Sequence, residues 1–154
     1  MNENSQTLKK IFIKAVENYK NKDFKNAEFL CYKILSIDPN HYASLSMLAT
    51  ISAVNGNFNN AKELLQKAIK IEPKNTTTIH NLGTAYKELG KLEDAINYYN
   101  KVLEIDPKHT NANYNLGLIF YKLKELKTAK SYLKKTVEIQ SNYAIAFFSL
   151  GNVH

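Results

Sequence analysis

The chain has 154 residues, of which 44% are hydrophobic and 23% are charged, and these proportions suit one soluble globular or solenoid domain instead of a disordered polymer. All 21 basic residues are lysines, and the formal net charge is +7. Cys31 is the only cysteine, which excludes a scaffold held by intramolecular disulfides. The polar first residues are followed by no long apolar run, so we expect neither a secretory signal nor a membrane span and predict a cytoplasmic protein.

A period of 34 residues organises the sequence. Pro39, Pro73 and Pro107 are 34 residues apart, and Ser141 occupies the next equivalent position. Small residues form two further series with the same spacing: Ala27, Ala61, Ala95 and Ala129, and Ala15, Ala49, Gly83, Gly117 and Gly151. These registers predict a flexible leader over residues 1–7 and one domain over 8–154, with repeats 8–41, 42–75, 76–109 and 110–143 and a partial repeat 144–154.

Each repeat is predicted to form two helices. In the third repeat, apolar residues recur every three or four positions on both sides of Gly90: Ile79, Leu82, Ala85, Tyr86 and Leu89, then Leu92, Ala95, Ile96, Tyr99, Val102, Leu103 and Ile105. Such stripes are typical of amphipathic helices. The second helix is expected to end at Asp106-Pro107, because proline lacks an amide proton and restricts the residue before it.

The turn between the two helices requires a left-handed residue in many helical hairpins. Gly56 and Gly90 occupy this place in the second and third repeats, and glycine adopts that conformation without strain. Lys22 and Lys124 occupy it in the first and fourth repeats and would adopt it at some cost. We therefore expect the first and fourth turns to be less regular.

The small residues that recur at equivalent positions of the repeats indicate a close crossing of the two helices. A side chain larger than methyl at Gly83, Gly117, Ala95 or Ala129 would push the helices apart, which typically costs about 1–3 kcal/mol. Large apolar residues are expected to fill the space between hairpins: Leu82, Tyr86, Tyr99, Leu116, Phe120 and Leu133. Each repeat would then depend on its neighbours for burial of its apolar faces.

These features together resemble a known repeat family. The segment from residue 79 to 107 resembles a tetratricopeptide repeat, with matching residues Leu82-Gly83, Tyr86, Ala95, Tyr99 and Pro107. Residues 8–154 follow the same register. The resemblance implies an all-α, right-handed solenoid of four full repeats and the first helix of a fifth.

The sequence departs from the family pattern in a few places. Asn113 stands where the family usually has tryptophan, and Ser141 replaces proline. The first repeat has Lys14-Ala15 in place of Leu-Gly and Asn18 in place of an aromatic residue. We expect the first repeat to pack differently from the others.

In this family the first helix of each repeat lines a concave groove with its second, fifth, sixth, ninth and twelfth residues. In the third and fourth repeats these places hold Thr77, His80, Asn81, Thr84 and Lys87, then Asn111, Tyr114, Asn115, Leu118 and Tyr121. Nine groove residues are our candidates for peptide binding: Asn81, Asn115, His80, Thr84, Tyr114, Leu118, Tyr121, Met47 and Phe148.

Two asparagines suggest how a peptide would be held. In O-linked N-acetylglucosamine transferases, which the repeats resemble most in character, asparagines at the sixth place of successive repeats bind a peptide backbone, because an amide donates and accepts at once. Asn81 and Asn115 occupy that place, whereas Ile13, Met47 and Ser149 interrupt the series. The alternative is that asparagine is simply common there. The lysines of family members that clamp a C-terminal carboxylate are missing at the matching places, so we exclude that mode.

Catalytic residues are not indicated. Cys31 is in phase with apolar core positions, which predicts a buried, inert thiol. His41 and His109 end their repeats in loops, where we expect them to be solvated, and no metal-ligand spacing is found. We therefore predict a protein that is not an enzyme and that uses no metal or cofactor.

The fourth repeat is rich in lysine. It contains Lys122, Lys124, Lys127, Lys130, Lys134 and Lys135. Three of them, Lys127, Lys130 and Lys134, share one helix face. A solvated face is the favoured interpretation, and an acidic partner, a membrane surface or nucleic acid is the alternative; nucleic-acid binding would be steeply salt dependent. We expect no membrane partner and do not favour nucleic acid.

The last segment carries an apolar stripe with no second helix to cover it. The stripe consists of Ala144, Ile145, Ala146, Phe147, Phe148, Leu150 and Val153. An uncovered stripe of this kind predicts either a piece of a longer protein, which we favour, or a surface that pairs with another molecule. In both cases we expect self-association through Phe147, Leu150 and Val153.

The sequence as a whole predicts a non-catalytic protein–protein interaction scaffold that binds a peptide or partner segment in its concave groove. One alternative is the N-terminal, substrate-recruiting arm of a larger enzyme such as a glycosyltransferase. Another is a lysine-rich surface that binds an acidic partner.

Overall fold

The computed structural model describes residues 3–151, except for the side chains of residues 3, 4, 147 and 148. Within this range the chain forms nine α-helices and no strand. The helices are α1 (Glu3–Lys20), α2 (Phe24–Ile37), α3 (Tyr42–Val54), α4 (Phe58–Ile71), α5 (Thr76–Glu88), α6 (Leu92–Ile105), α7 (Thr110–Lys122), α8 (Leu126–Ile139) and α9 (Ala144–Gly151).

The helices follow the predicted repeats, with two helices in each full repeat and α9 beginning the partial fifth. One boundary differs from the prediction. Helix α1 begins at Glu3, so residues 3–7, which were expected to form a flexible leader, are part of the first helix. No glycine or proline interrupts residues 3–20, and nothing in this stretch stops a helix from extending toward the N-terminus.

Contacts divide the chain into two compact units, Met1–Thr78 and Ile79–His154. The division lies within α5, three residues after the predicted boundary between the second and third repeats. In the N-terminal unit α2 packs against α1 and α3, and α3 packs against α4. In the C-terminal unit α7 packs against α6 and α8, and α8 packs against α9.

The turns within the hairpins have one common geometry. The left-handed residues are Lys22 (φ 61°), Gly56 (φ 75°), Gly90 (φ 75°) and Lys124 (φ 65°). In each turn this residue donates its amide to the carbonyl three positions earlier, and the next residue donates to the carbonyl five positions before itself, at 2.8–3.0 Å. This is the Schellman arrangement. The expected left-handed lysines are confirmed, but the expectation that their turns are less regular is wrong, because the hydrogen bonds are the same.

The predicted small positions lie in the core, except for Gly151, which is exposed. Ala15, Ala27, Ala95 and Ala129 are fully buried. At Gly117 even a methyl group would lie 2.7 Å from Cγ of Leu133, and at Gly83 it would lie 3.0 Å from the ring of Tyr99. A methyl group was expected to fit at these positions. The helices of the C-terminal unit therefore approach each other more closely than expected.

Two of the large residues expected between hairpins pack inside their own hairpin. Tyr86 stacks on Tyr98 with ring centroids 5.3 Å apart, and Phe120 stacks on Tyr132 at 5.6 Å. Both pairs join the first helix of a repeat to its second helix, and all four side chains are half-buried. Leu82, Tyr99, Leu116 and Leu133 are buried as predicted.

The residue that ends each of the first three repeats caps the helix that follows. His41 Nδ1 accepts from the amide of Ser44 at 3.2 Å, and His109 Nδ1 accepts from the amide of Ala112 at 3.2 Å. Asn75 has the same role through its side-chain oxygen and the amide of Thr78. The prediction that both histidines are solvated was wrong: they are half-buried, and each satisfies an amide that the first turn of a helix leaves without a partner.

Candidate functional site

The C-terminal unit brings together most of the predicted groove residues. We call this surface the α5–α7 face and define it by His80, Asn81, Thr84, Lys87, Asn111, Tyr114, Asn115, Leu118 and Tyr121. Side chains from the two helices touch directly: Lys87 Nζ donates to Asn115 Oδ1 at 3.0 Å, and Asn115 Nδ2 lies 3.2 Å from His80 Nε2. First helices of successive repeats are therefore joined by polar contacts.

Asn115 is held in one orientation. Its oxygen accepts from the ammonium of Lys87, and its nitrogen donates to the backbone carbonyl of Asn111 at 2.9 Å. An ammonium can only donate and a carbonyl can only accept, so the two partners fix which end of the amide is which. The remaining N–H of Asn115 faces His80 Nε2, which must act as the acceptor.

This contact defines the protonation of His80. A neutral imidazole that accepts at Nε2 carries its proton on Nδ1, and Nδ1 lies 3.4 Å from Asn81 Oδ1. Burial lowers the pKa of His80 below its usual 6.5, and the nearby charges of His109 and Lys87 add to this effect, while the hydrogen bond to Asn81 opposes it. The ring is thus kept neutral near pH 7.

Aromatic rings surround His80 on two further sides. The ring of His109 is stacked on it at 5.2 Å, and the ring of Tyr99 lies 5.3 Å away. Thr84 Oγ1 donates to the carbonyl of His80, so it accepts from the hydroxyl of Tyr99 at 3.0 Å. Burial raises the pKa of Tyr99 to about 12, which keeps the hydroxyl protonated as the donor.

Tyrosines form the other end of the α5–α7 face. The rings of Tyr114 and Tyr143 meet edge to face at 5.2 Å, and the hydroxyl of Tyr143 donates to Asn111 Oδ1 at 3.1 Å. Tyr121 is 39% exposed and Leu118 is half-buried. This end therefore offers accessible apolar area beside the polar contacts.

Three residues of the α5–α7 face and its border were missed or not selected from the sequence. Lys87 and Asn111 were in the groove register but were not chosen, although their register positions could have indicated them. Tyr143 ends the fourth repeat, and the signal that could have found it is that the other end-of-repeat residues also lie beside the first helices.

The remaining groove candidates lie elsewhere. Met47 belongs to the N-terminal unit, where Cys31 Sγ donates to its sulfur at 3.5 Å. The same unit has a cleft of about 470 Å³ between α1 and the start of α3, lined in part by Lys9, Phe12 and His41. The side chain of Phe148 lies outside the described residues.

The predicted self-association residues are described only in part. The side chain of Phe147 and all of Val153 lie outside the described residues. Leu150 is half-buried and packs against Ala129 and Leu133 of α8. Ile145, at the start of α9, is 64% exposed.

Cys31 belongs to the N-terminal unit and is not part of the α5–α7 face. Cys31 is fully buried, and burial raises the pKa of its thiol to about 11, which opposes formation of the nucleophilic thiolate. Over residues 3–151, no three His, Cys, Asp or Glu side chains are grouped as metal ligands would be. In the same range, no helix has the length and apolar character needed to cross a membrane.

Comparison with known families gives three matches. Residues 83–124 match a family model described as TPR repeat, and residues 110–143 match one described as tetratricopeptide repeat. Residues 20–102, more than half of the chain, match the model described as anaphase-promoting complex, cyclosome, subunit 3. No curated protein matches the sequence.

Solved structures resemble the chain along most of its length. A MamA protein structure has 23% identity and a TM-score of 0.89 and covers 97% of this chain and 81% of its own. A tetratricopeptide repeat protein from Parabacteroides merdae has 26% identity and a TM-score of 0.87 and covers 96% and 59%. A mutant Thermobaculum terrenum O-GlcNAc transferase has 22% identity and a TM-score of 0.80 and covers 90% of this chain and 27% of its own. These likenesses confirm the predicted fold class, an all-α solenoid of helix-turn-helix repeats.

Proposed function

Since the chain belongs to the tetratricopeptide repeat family, we propose that it is a non-catalytic interaction module that binds an extended peptide segment along the α5–α7 face. More than half of the chain matches the anaphase-promoting complex subunit 3 family. The observation that carries the proposal is the row of partly exposed amide, imidazole and tyrosine side chains on two successive first helices. Amides and aromatic rings are the groups that bind a peptide backbone and its side chains, respectively.

Both predicted ladder asparagines belong to the proposed site. Asn81 and Asn115 are partly exposed, and His80 lies between their side chains. Tyr114 and Tyr121 provide flanking apolar area for ligand side chains. Because the polar contacts between α5 and α7 are already formed without ligand, a peptide would bind to a largely preorganised surface, which reduces the entropy lost on binding.

A selection from a displayed peptide library, followed by affinity measurement for the selected peptides, tests this proposal. We expect Asn81→Ala combined with Asn115→Ala to weaken binding by about tenfold or more, or about 1.4 kcal/mol, because the first change removes the amide of Asn81 and the second removes the contacts that position Lys87 and His80. The matched control is Asn97→Ala combined with Asn100→Ala, which removes two asparagines from α6, a second helix of the same unit.

The helicity of both double variants should stay equal to that of the parent protein. Affinity that is unchanged by the Asn81 and Asn115 substitutions, or that falls equally with the α6 control, would reject binding along this face. The alternative of a substrate-recruiting arm in a larger enzyme stays a prediction, because the likeness to an O-GlcNAc transferase shows the fold alone.

A further inference from the structure

Each side-chain oxygen of the asparagines on the α5–α7 face already accepts one contact from a donor of the C-terminal unit. Asn115 Oδ1 accepts from Lys87 at 3.0 Å, and Asn111 Oδ1 accepts from Tyr143 at 3.1 Å. Asn81 Oδ1 accepts the longer contact from His80 Nδ1 at 3.4 Å. An amide oxygen has two lone pairs, so each of these oxygens keeps one for a ligand.

The donors on the same face are less fully used. Within residues 3–151, the side-chain nitrogens of Asn81 and Asn111 donate to no group. Lys87 has three N–H bonds, of which one is directed to Asn115. The α5–α7 face thus presents N–H groups, and it differs from a ladder of amides that offer a donor and an acceptor equally.

The charge of the α5–α7 face also favours a ligand that accepts hydrogen bonds. The groove places of α5 and α7 include Lys87 and contain no Asp or Glu. The nearest carboxylate to Lys87 is its neighbour Glu88, at 3.3 Å, and the two side chains are 25% and 41% exposed. An ion pair this exposed contributes only about 0–1 kcal/mol, so a ligand carboxylate can displace Glu88 at small cost.

A carboxylate on this face can come from acidic side chains of a peptide or from its C-terminus. Asn81 and Lys87 are six residues apart on α5, so their backbones are about 9 Å apart along the helix. Successive side chains on one face of an extended segment are about 7 Å apart, so such a segment can place one acidic side chain near each of the two residues.

We infer that the α5–α7 face selects extended peptide segments whose internal Asp or Glu side chains accept hydrogen bonds from Lys87 and the amide nitrogens of Asn81 and Asn111. This inference rests on the proposed peptide-binding function and names the class of ligand. The face is a specificity-determining surface for acidic segments, and Lys87 is the residue that distinguishes charged side chains from neutral ones.

Three synthetic peptides test the inference by calorimetry or fluorescence anisotropy at low ionic strength. The first alternates Gly and Glu and is blocked at both ends, the second has Gln in place of Glu, and the third is the Gln peptide with an unblocked C-terminal carboxylate. We expect the Glu peptide to bind at least about tenfold more tightly than either Gln peptide, as one charge-assisted hydrogen bond would produce.

Variants of Lys87 identify the residue responsible. Lys87→Met keeps the aliphatic stem without the charge, and we expect it to remove most of the preference for Glu. Lys87→Arg retains the charge and should restore the preference. The matched control is Lys127→Met, which removes an exposed lysine of α8 and should leave the preference intact.

Four results would overturn the inference: no binding of the Glu peptide, equal binding of Glu and blocked Gln peptides, equal binding of the unblocked Gln and Glu peptides, or an equal loss in Lys127→Met. Equal binding of the two blocked peptides that still depends on Asn81 and Asn115 would remove the selectivity but leave the proposed function standing. A failure of the proposed function itself would be detected with the library-selected peptides, whose affinity is measured independently of the three synthetic peptides.

Discussion

His80 is the residue on which the polar contacts of the α5–α7 face converge. Its Nε2 accepts from Asn115, its Nδ1 faces Asn81, and its ring is stacked against His109. Protonation would turn Nε2 into a donor facing another donor, so the arrangement requires the neutral ring. The sequence placed His80, Asn81 and Asn115 on one groove face, but it could not show that Lys87 fixes the orientation of Asn115.

The lowered pKa of His80 predicts a dependence of stability on pH. In the unfolded chain this histidine titrates near 6.5, and in the folded protein its pKa is lower. The unfolded state therefore binds more protons as the pH falls, and the contribution of neutral His80 is present above 6.5 and lost as the pH drops through the folded-state pKa.

Urea unfolding at pH 7 and near pH 5 measures this contribution. We expect the parent protein to lose more stability on acidification than the variant His80→Gln, which has no titrating ring. The control His41→Asn keeps a helix cap, since Asn75 caps the equivalent helix, and should retain the His80 effect because His41 belongs to the N-terminal unit. An equal loss in the parent protein and in His80→Gln would contradict the assignment.

Gly117 provides a second test at the residue scale. Its missing side chain leaves room for Leu133, and a methyl group would lie 2.7 Å from Leu133 Cγ. Alanine is favoured over glycine in a helix by about 1 kcal/mol, and overpacking a core costs about 1–3 kcal/mol. We therefore expect Gly117→Ala to lower the free energy of unfolding by about 1 kcal/mol in urea titrations.

The matching control is Gly151→Ala, because a methyl group there would meet no atom of the described residues within 4 Å. This substitution should leave stability unchanged or raise it slightly. If Gly117→Ala stabilised the protein as well, the gain in helix propensity would be larger than the cost of overpacking between α7 and α8.

Each helical element begins and ends through local interactions that differ in chemistry but keep the same geometry. His41, Asn75 and His109 cap the first helices, and the four left-handed residues close the hairpin turns. The turn geometry holds with lysine as with glycine because packing of the two helices fixes the connection, and the side chain of lysine extends into solvent. The conformational cost of lysine remains in the folded state even though the hydrogen bonds do not reveal it.

Replacing the left-handed lysines measures that cost. A left-handed residue other than glycine costs about 1–2 kcal/mol, whereas glycine gains about 0.5–1 kcal/mol of entropy in the unfolded chain. We expect Lys22→Gly and Lys124→Gly each to raise the free energy of unfolding by about 0.5–1 kcal/mol. Thermal and urea unfolding monitored by circular dichroism would give these values.

Lys20→Gly is the control for both variants, because Lys20 lies in the last turn of α1 with helical geometry. It should destabilise the protein by about 1 kcal/mol. A loss of stability in Lys22→Gly comparable to that in Lys20→Gly would show that the left-handed lysine is not strained.

At the scale of the whole molecule, the described chain is a series of hairpins grouped in two compact units. Hairpins of this kind bury their apolar faces against neighbours, so an end without a neighbour leaves apolar area exposed. Ile145 is 64% exposed on α9, while Leu150 is partly covered by α8. Self-association through Phe147, Leu150 and Val153 stays a prediction.

Sedimentation velocity over a concentration series tests this prediction. We expect the parent protein to form larger species as its concentration rises and Phe147→Lys to remain monomeric. Phe29→Lys is the control, because Phe29 is 66% exposed on α2 and is not part of the predicted surface. Monomeric behaviour of the parent protein at high concentration, or an equal effect of Phe29→Lys, would reject the prediction.

Four features can be predicted from the order of residues alone: the repeats, the helical hairpins, the left-handed turn residues and the small positions at Ala27, Gly83 and Gly117. These features follow from local backbone preferences and from a periodicity that is visible in one dimension. The sequence also selected most of the residues of the α5–α7 face, because a helical register assigns side chains to faces.

The packing of the helices sets which of these side chains touch and which hydrogen-bonding groups they leave for a ligand. Lys87 and Asn115 are 28 residues apart, and His80 and Asn115 are 35 apart. Whether such groups come within hydrogen-bonding distance depends on the distance and rotation between packed helices, and the volumes of the side chains in the core set both. The pairing that makes the face a surface of donors is therefore a property of the packed helices, and no single repeat encodes it.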